Sequence, residues 1–83
     1  MSRYCVVKNA SVSGITYDVI TLFDGETIEP VVDGMDGSLA SVVKRDGQVV
    51  TSAGEICSDA FFDREQARVL AGQMQRVLEV MES

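Results

Sequence analysis

The chain has no histidine, so the side chains able to do chemistry are two cysteines, Cys5 and Cys57, and thirteen carboxylates. Without an imidazole the usual proton shuttle near neutral pH is missing, and neither a Ser-His-Asp nor a Cys-His arrangement can be built. Two isolated cysteines so far apart do not form a zinc ligand pair at any usual spacing. Both sit among apolar neighbours (Tyr4 to Val7, and Ile56), which reads as small core residues. A pair of carboxylates could do glycosidase-type acid–base work, but the acids here gather around turns, in water. The stretch Asp33-Gly34-Met35-Asp36-Gly37 has the acidity and glycine of a calcium loop. It fails the EF-hand pattern, because Met35 stands third and Lys44 twelfth, where a ligand and a glutamate are required. An irregular oxygen site from Glu29, Asp33 and Asp36 is the only calcium option left. No phosphate-cradling GxxxxGK occurs. The expectation is a non-enzyme with no cofactor and no metal.

Charge is the more informative property. The net charge is −6, from thirteen acids against seven bases. No base lies between positions 9 and 43, while Asp18, Asp24, Glu26, Glu29, Asp33 and Asp36 all fall there. Outside that window acids and bases balance. An acidic lobe over 18–36 would project a negative field about one Debye length, ~8 Å at physiological salt. Direct binding to nucleic acid or to an anionic membrane is disfavoured, since both need clustered Lys and Arg. A protein partner with a basic surface is favoured. The plainer alternative is that acidic turns only keep the chain in solution, and Asp is common in turns for backbone reasons.

The elements that must position these groups follow from pattern. At 83 residues, 46 % of them hydrophobic, the chain makes one domain (1–83) with a thin core. Four glycines follow aspartate, at Asp24-Gly25, Asp33-Gly34, Asp36-Gly37 and Asp46-Gly47. Asp-Gly between apolar runs is a hairpin signal. It predicts one hairpin from Ile15 to Phe23 and Glu26 to Val32, and another from Leu39 to Arg45 and Gln48 to Ser52. Arg3 to Lys8 reads as a first strand, Asn9 to Gly14 as a polar connection and Val32 to Ser38 as a loop. Pro30 marks an edge strand or a strand end. Sheet and hairpins thus occupy 3–58. From 63 to 82 the pattern is helical: Asp63 with Gln66 suggests a capping box, and Ala67, Leu70, Ala71, Met74, Val77, Leu78 and Met81 fall on one face. Phe61 and Phe62 should anchor its start.

Two features exceed a helix on a one-faced sheet. Ile15, Tyr17, Val19 and Phe23 alternate onto one face, yet Ile20 and Leu22 occupy the other, and Val43 and Val50 are likewise opposed by Val42 and Val49. On the helix, Val69 and Val80 lie off the main stripe, flanking Arg76. A second copy of the chain covering these surfaces would explain both, with Val69, Arg76 and Val80 at the oligomer interface. No signal-peptide pattern and no apolar run of membrane-spanning length is present, so a cytoplasmic location with reduced thiols is expected.

The resulting expectation is an α+β fold: a four- or five-stranded, mostly antiparallel sheet of β-hairpins with one C-terminal amphipathic helix packed on one face. In function it is a non-enzymatic protein-binding module, dimeric, presenting Asp18, Asp24, Glu26, Glu29, Asp33 and Asp36 to a basic partner. One form of this is an inhibitor that blocks a nucleic-acid machine by mimicking phosphate charge. Small acidic proteins of phages and mobile elements use that logic, an analogy of composition alone. The competing class is an assembly subunit that works through its apolar second face.

Overall fold

The structure is a computed structural model, and it describes residues 1–33 and 38–82. It is α+β, with antiparallel strands followed by one C-terminal helix. The strands are β1 (Arg3–Ser11), β2 (Gly14–Leu22), β3 (Glu26–Asp33), β4 (Ser38–Arg45), β5 (Gln48–Ala53) and β6 (Glu55–Ile56), and the helix is α1 (Arg64–Glu82). In place of one four- or five-stranded sheet there are two three-stranded sheets, ordered β2-β1-β6 and β3-β4-β5.

Two turns of the same sequence type explain the division. At Asp46-Gly47 both residues have positive φ, 54° and 78°, the type I′ geometry whose twist suits a hairpin. β4 and β5 accordingly pair across it, with a bulge at Val43/Lys44. At Asp24-Gly25 only Gly25 has positive φ, 83°, and Glu26 N–H donates to the Phe23 carbonyl at 2.9 Å. That is the type II pattern, which splays the flanking strands. β2 and β3 therefore do not pair, and the expected hairpin there is a corner between sheets. β2 pairs instead with β1 along its whole length, Arg3 opposite Leu22 and Ser11 opposite Gly14. The polar stretch expected to be a connection is mostly strand.

β1 is the central strand of the first sheet, and alternation sends its side chains two ways. Val6 packs with Ala67 and Ala71 of α1, joined by Tyr4, Tyr17, Val19, Leu70 and Met74. Cys5 and Val7 face the other way and, with Leu22, are 1 % exposed. Val43 and Ser41 of β4 are buried as well, so the first sheet lies between the helix and the second sheet. Arg3 Nη2 donates to the Glu26 carbonyl at 3.0 Å and Ser41 Oγ to the Gly54 carbonyl at 2.7 Å, tying the two sheets together. The apolar residues on both faces of β2 thus find cover within one chain.

The helix begins where its pattern predicts, with Asp63 Oδ1 accepting from Glu65 N–H at 2.9 Å, an N-cap bond, though among the described residues Gln66 does not complete the expected capping box. Phe61 bridges Tyr4 through two backbone bonds of 2.7 Å, while Phe62 is exposed. Ala67 and Ala71 are buried, but Val77 and Met81 of the same stripe are exposed, lining an open groove with Lys8, Ile15 and Tyr17 of the strands.

Gly54 turns the chain from β5 into β6. A Cβ there would sit 2.2 Å from the Lys8 carbonyl oxygen, a backbone atom that cannot swing aside. Gly72, mid-helix and exposed, has nothing near its Cβ position. Urea denaturation should therefore show Gly54→Ala losing about 1–3 kcal/mol and Gly72→Ala gaining up to ~1 kcal/mol.

Candidate functional site

The acidic segment does not form one exposed lobe, because strand register brings bases to it. Glu26 lies opposite Arg45 and Thr27 opposite Lys44 in the β3–β4 ladder. Glu26 is 4 % exposed, its carboxylate accepting from Arg45 Nη2 at 2.9 Å and from Phe23 N–H at 2.8 Å. It closes the type II corner from within, and its position is structural. Glu29 pairs with Lys44 at 3.0 Å while remaining half in solvent. Asp24 is exposed and pairs with the Met1 ammonium group. Asp18, exposed at the middle of β2, accepts from Asn9 Nδ2 at 2.8 Å and from Thr16 Oγ1 at 3.1 Å. Asp33 ends β3, and Asp36 lies outside the described residues. The structure thus brings Glu26 and Glu29 onto one strand but on opposite faces, with Asp18 in the other sheet. Among the described residues no group of three acids, cysteines or histidines is placed to hold a metal ion.

The helix residues expected at an interface are all on its surface: Val69 and Val80 are exposed, and so is Arg76. A second apolar surface, foreshadowed by Val42 and Val49 opposing Val43 and Val50 in the sequence, is the outer face of the β3-β4-β5 sheet, which Val31 joins. Pairing of Val31 with Ala40 and of Val49 with Lys44 places Val31, Val42 and Val49 on this face. Val31 and Val49 are exposed, Val49 at 60 %, and Val42 is half-covered. The Lys44–Glu29 pair, Thr27 and Ser52 share the face with them.

Comparison of the chain with protein-family models, with curated proteins and with solved structures finds no match. Its properties have to be read from its own geometry. No described helix is long and apolar enough to cross a membrane.

The thiols are held in their protonated form. Burial pushes the Cys5 thiol up, against the pull of its hydrogen bonds with Ser58, and burial does the same to Cys57, reinforced by nearby Glu55. Both are free, and a protonated thiol is a poor nucleophile. Lys8 bonds to Glu55 Oε2 at 3.1 Å, which raises the lysine's pKa.

Two outcomes follow. Glu26→Gln should cost about 2 kcal/mol in a urea melt, because the charge-assisted bond to Arg45 is lost from a buried site. Glu29→Gln, at an exposed pair, should stay within about 1 kcal/mol of the parent. The thiols also set a pH dependence. Their folded pKa values lie above the reference of 9.0, so their contribution is full below pH 9 and falls as pH rises through the folded values. Urea midpoints should decline between pH 8 and about 10, and Cys5→Ala, though less stable, should decline less steeply.

Proposed function

We propose that the protein is a non-enzymatic protein-interaction module that works as a homodimer, joined through the outer face of the β3-β4-β5 sheet. The observation that carries this reading is surface left uncovered. The chain exposes 5766 Å², whereas a folded monomer of its mass typically exposes about 4,850 Å². The excess is close to the ~800 Å² that each partner buries in a standard interface. The radius of gyration, 13.3 Å, also exceeds the ~11.8 Å of a compact domain this long.

A second copy suits this face because the face can complement itself. Val31, Val42 and Val49 supply the apolar part, and in a twofold arrangement each Lys44–Glu29 pair can meet the partner's pair in opposite sense. The absence of histidine and the protonated thiols support the non-enzymatic part of the reading. The exposed carboxylates of Asp18, Asp24 and Glu29 favour a second reading, in which the dimer also presents acid to a basic protein surface. An inhibitor of a nucleic-acid machine is one form of it. In that reading Glu26 has no contact role, since it is buried.

Sedimentation or light scattering should give twice the chain mass at roughly 10–100 µM, the range in which weak dimers of this size form. Val49→Lys should yield a folded monomer, while Val69→Lys should leave the dimer intact. A parent that is monomeric throughout that range overturns the reading, and dissociation by Val69→Lys alone moves the interface to the helix. For the acidic reading, Asp18→Lys with Glu29→Lys should slow association with a basic partner and flatten its salt dependence.

A further inference from the structure

The first sheet ends in an open edge on β2, and on the helix beside it two arginines, Arg64 and Arg68, form no ion pair among the described residues. Alternation decides which backbone groups that edge presents. Tyr17 N–H donates to Gln75 Oε1 at 3.1 Å, and the Ile15 carbonyl accepts from Gln75 Nε2 at 3.4 Å. The odd-numbered residues of β2 therefore turn their N–H and C=O groups outward, away from β1. The Gln75 amide satisfies two of these groups in the way a neighbouring strand would. The outward groups of Val19 and Thr21 lie beyond its reach.

A groove of ≈ 510 Å³ runs along this edge, lined by Tyr17, Asp18 and Val19 on the strand side and by Arg64, Arg68 and Gly72 among others on the helix. Gly72 puts no side chain into it. Among the described residues Arg64 and Arg68 make no ion pair and no side-chain hydrogen bond. Asp18, the nearest acid on the strand, is engaged by Asn9 and Thr16 instead.

We propose that this groove binds an extended acidic peptide segment, which adds to the open edge of β2 as a further strand and places alternate carboxylates against Arg64 and Arg68. Strand addition uses the outward backbone groups at Val19 and Thr21 for affinity and side-chain contacts for selection. The spacings agree. Arg64 and Arg68 are one turn apart, about 6 Å along the helix, and alternate residues of a strand are separated by about 6.8 Å. A segment with Glu or Asp at positions i and i+2 therefore sets one carboxylate near each guanidinium, the side chain best shaped to hold it. Pairing β2 with β2 of a second copy is disfavoured, because it would bring the two arginine rows together. Nucleic acid has no strand backbone to offer the edge. The groove is separate from the β3-β4-β5 face, so its occupancy does not depend on dimerisation.

The test is fluorescence anisotropy with a labelled seven-residue peptide that alternates Thr and Glu, at low salt. Three controls accompany it: the Thr-Gln version, a version N-methylated on the residues that face β2, and a single-stranded oligonucleotide. The expected result is saturable binding of the Glu peptide below roughly 1 mM, with amide shifts in NMR centred on Val19 and Thr21. Arg68→Glu, with circular dichroism showing the helix retained, should weaken binding at least ~10-fold, and Arg68→Gln by less. The Gln and N-methyl peptides should bind at least ~10-fold more weakly than the Glu peptide. No binding by the parent overturns the proposal, and so does equal binding by Arg68→Glu. Equal binding of the N-methyl peptide would reduce the site to charge attraction without strand addition. Tighter binding of the oligonucleotide would assign the groove to nucleic acid.

Discussion

The fold depends on the pairing of β1 along both of its edges. On one side β2 matches it residue for residue over nine positions. On the other side the match is pieced together: β6 pairs at Val7 and Lys8, Ser58 Oγ accepts from Val6 N–H at 3.0 Å, and Phe61 closes the ladder at Tyr4. A strand whose side chains are buried on both faces cannot leave backbone groups unpaired, since each would cost a lost hydrogen bond without water to replace it. This requirement fixes where residues 55–61 must lie. They in turn deliver the chain to Asp63, from which the helix lays Ala67 and Ala71 on Val6. The tight contact of Gly54 on the Lys8 carbonyl is the local consequence of the same constraint.

Local signals in the sequence specify local structure well. The helix is legible because its apolar spacing and its cap lie within twenty consecutive residues, and the Asp46-Gly47 hairpin because turn and strands are adjacent. The identical dipeptide at Asp24-Gly25 misleads, since turn type depends on whether the flanking strands can pair. β2 has a longer and better partner in β1. The two-faced apolar pattern of β2 carries a real signal, burial on both sides, but pattern alone does not say whether the cover comes from this chain or another. Here it comes from the second sheet. The exposure of Val77 and Met81 is equally invisible to periodicity, which knows the width of the stripe but not how closely each turn approaches the sheet; here an open groove separates them from Lys8, Ile15 and Tyr17.

Charge misleads for the same reason. Counting along the chain separates six acids from seven bases, but register is a long-range property, and it places Lys44 and Arg45 beside Glu29 and Glu26. Glu26 is then withdrawn into the interior, where its two hydrogen bonds matter more than its field. The charges left without partners include Arg64 and Arg68, within a helical segment that looks balanced because Glu65 and Asp63 stand beside them in sequence. Glu65 does neighbour Arg68, three residues on, and lines a shallow groove with it, yet among the described residues the two form no ion pair, so nearness in sequence does not by itself pair charges.

The sheet edges indicate which surfaces are open to partners. Exposed edges are a liability that natural sheets blunt, and most edges here are treated. β3 carries Pro30, which removes one donor from its ladder, β6 is only two residues long, and β5 is bent by the bulge opposite Val43 and Lys44. On β2 the Gln75 amide shields Ile15 and Tyr17 but stops short of Val19 and Thr21, where the groove opens. Extension of the second sheet edge to edge is therefore the less favourable way to join two copies. Face-to-face contact avoids the obstacle, because Val31, Val42 and Val49 stand perpendicular to the ladder and neither a proline nor a bulge at the rim prevents their burial. The untreated part of β2 is then the place where an added strand meets least resistance, and the two arginines beside it select for acid.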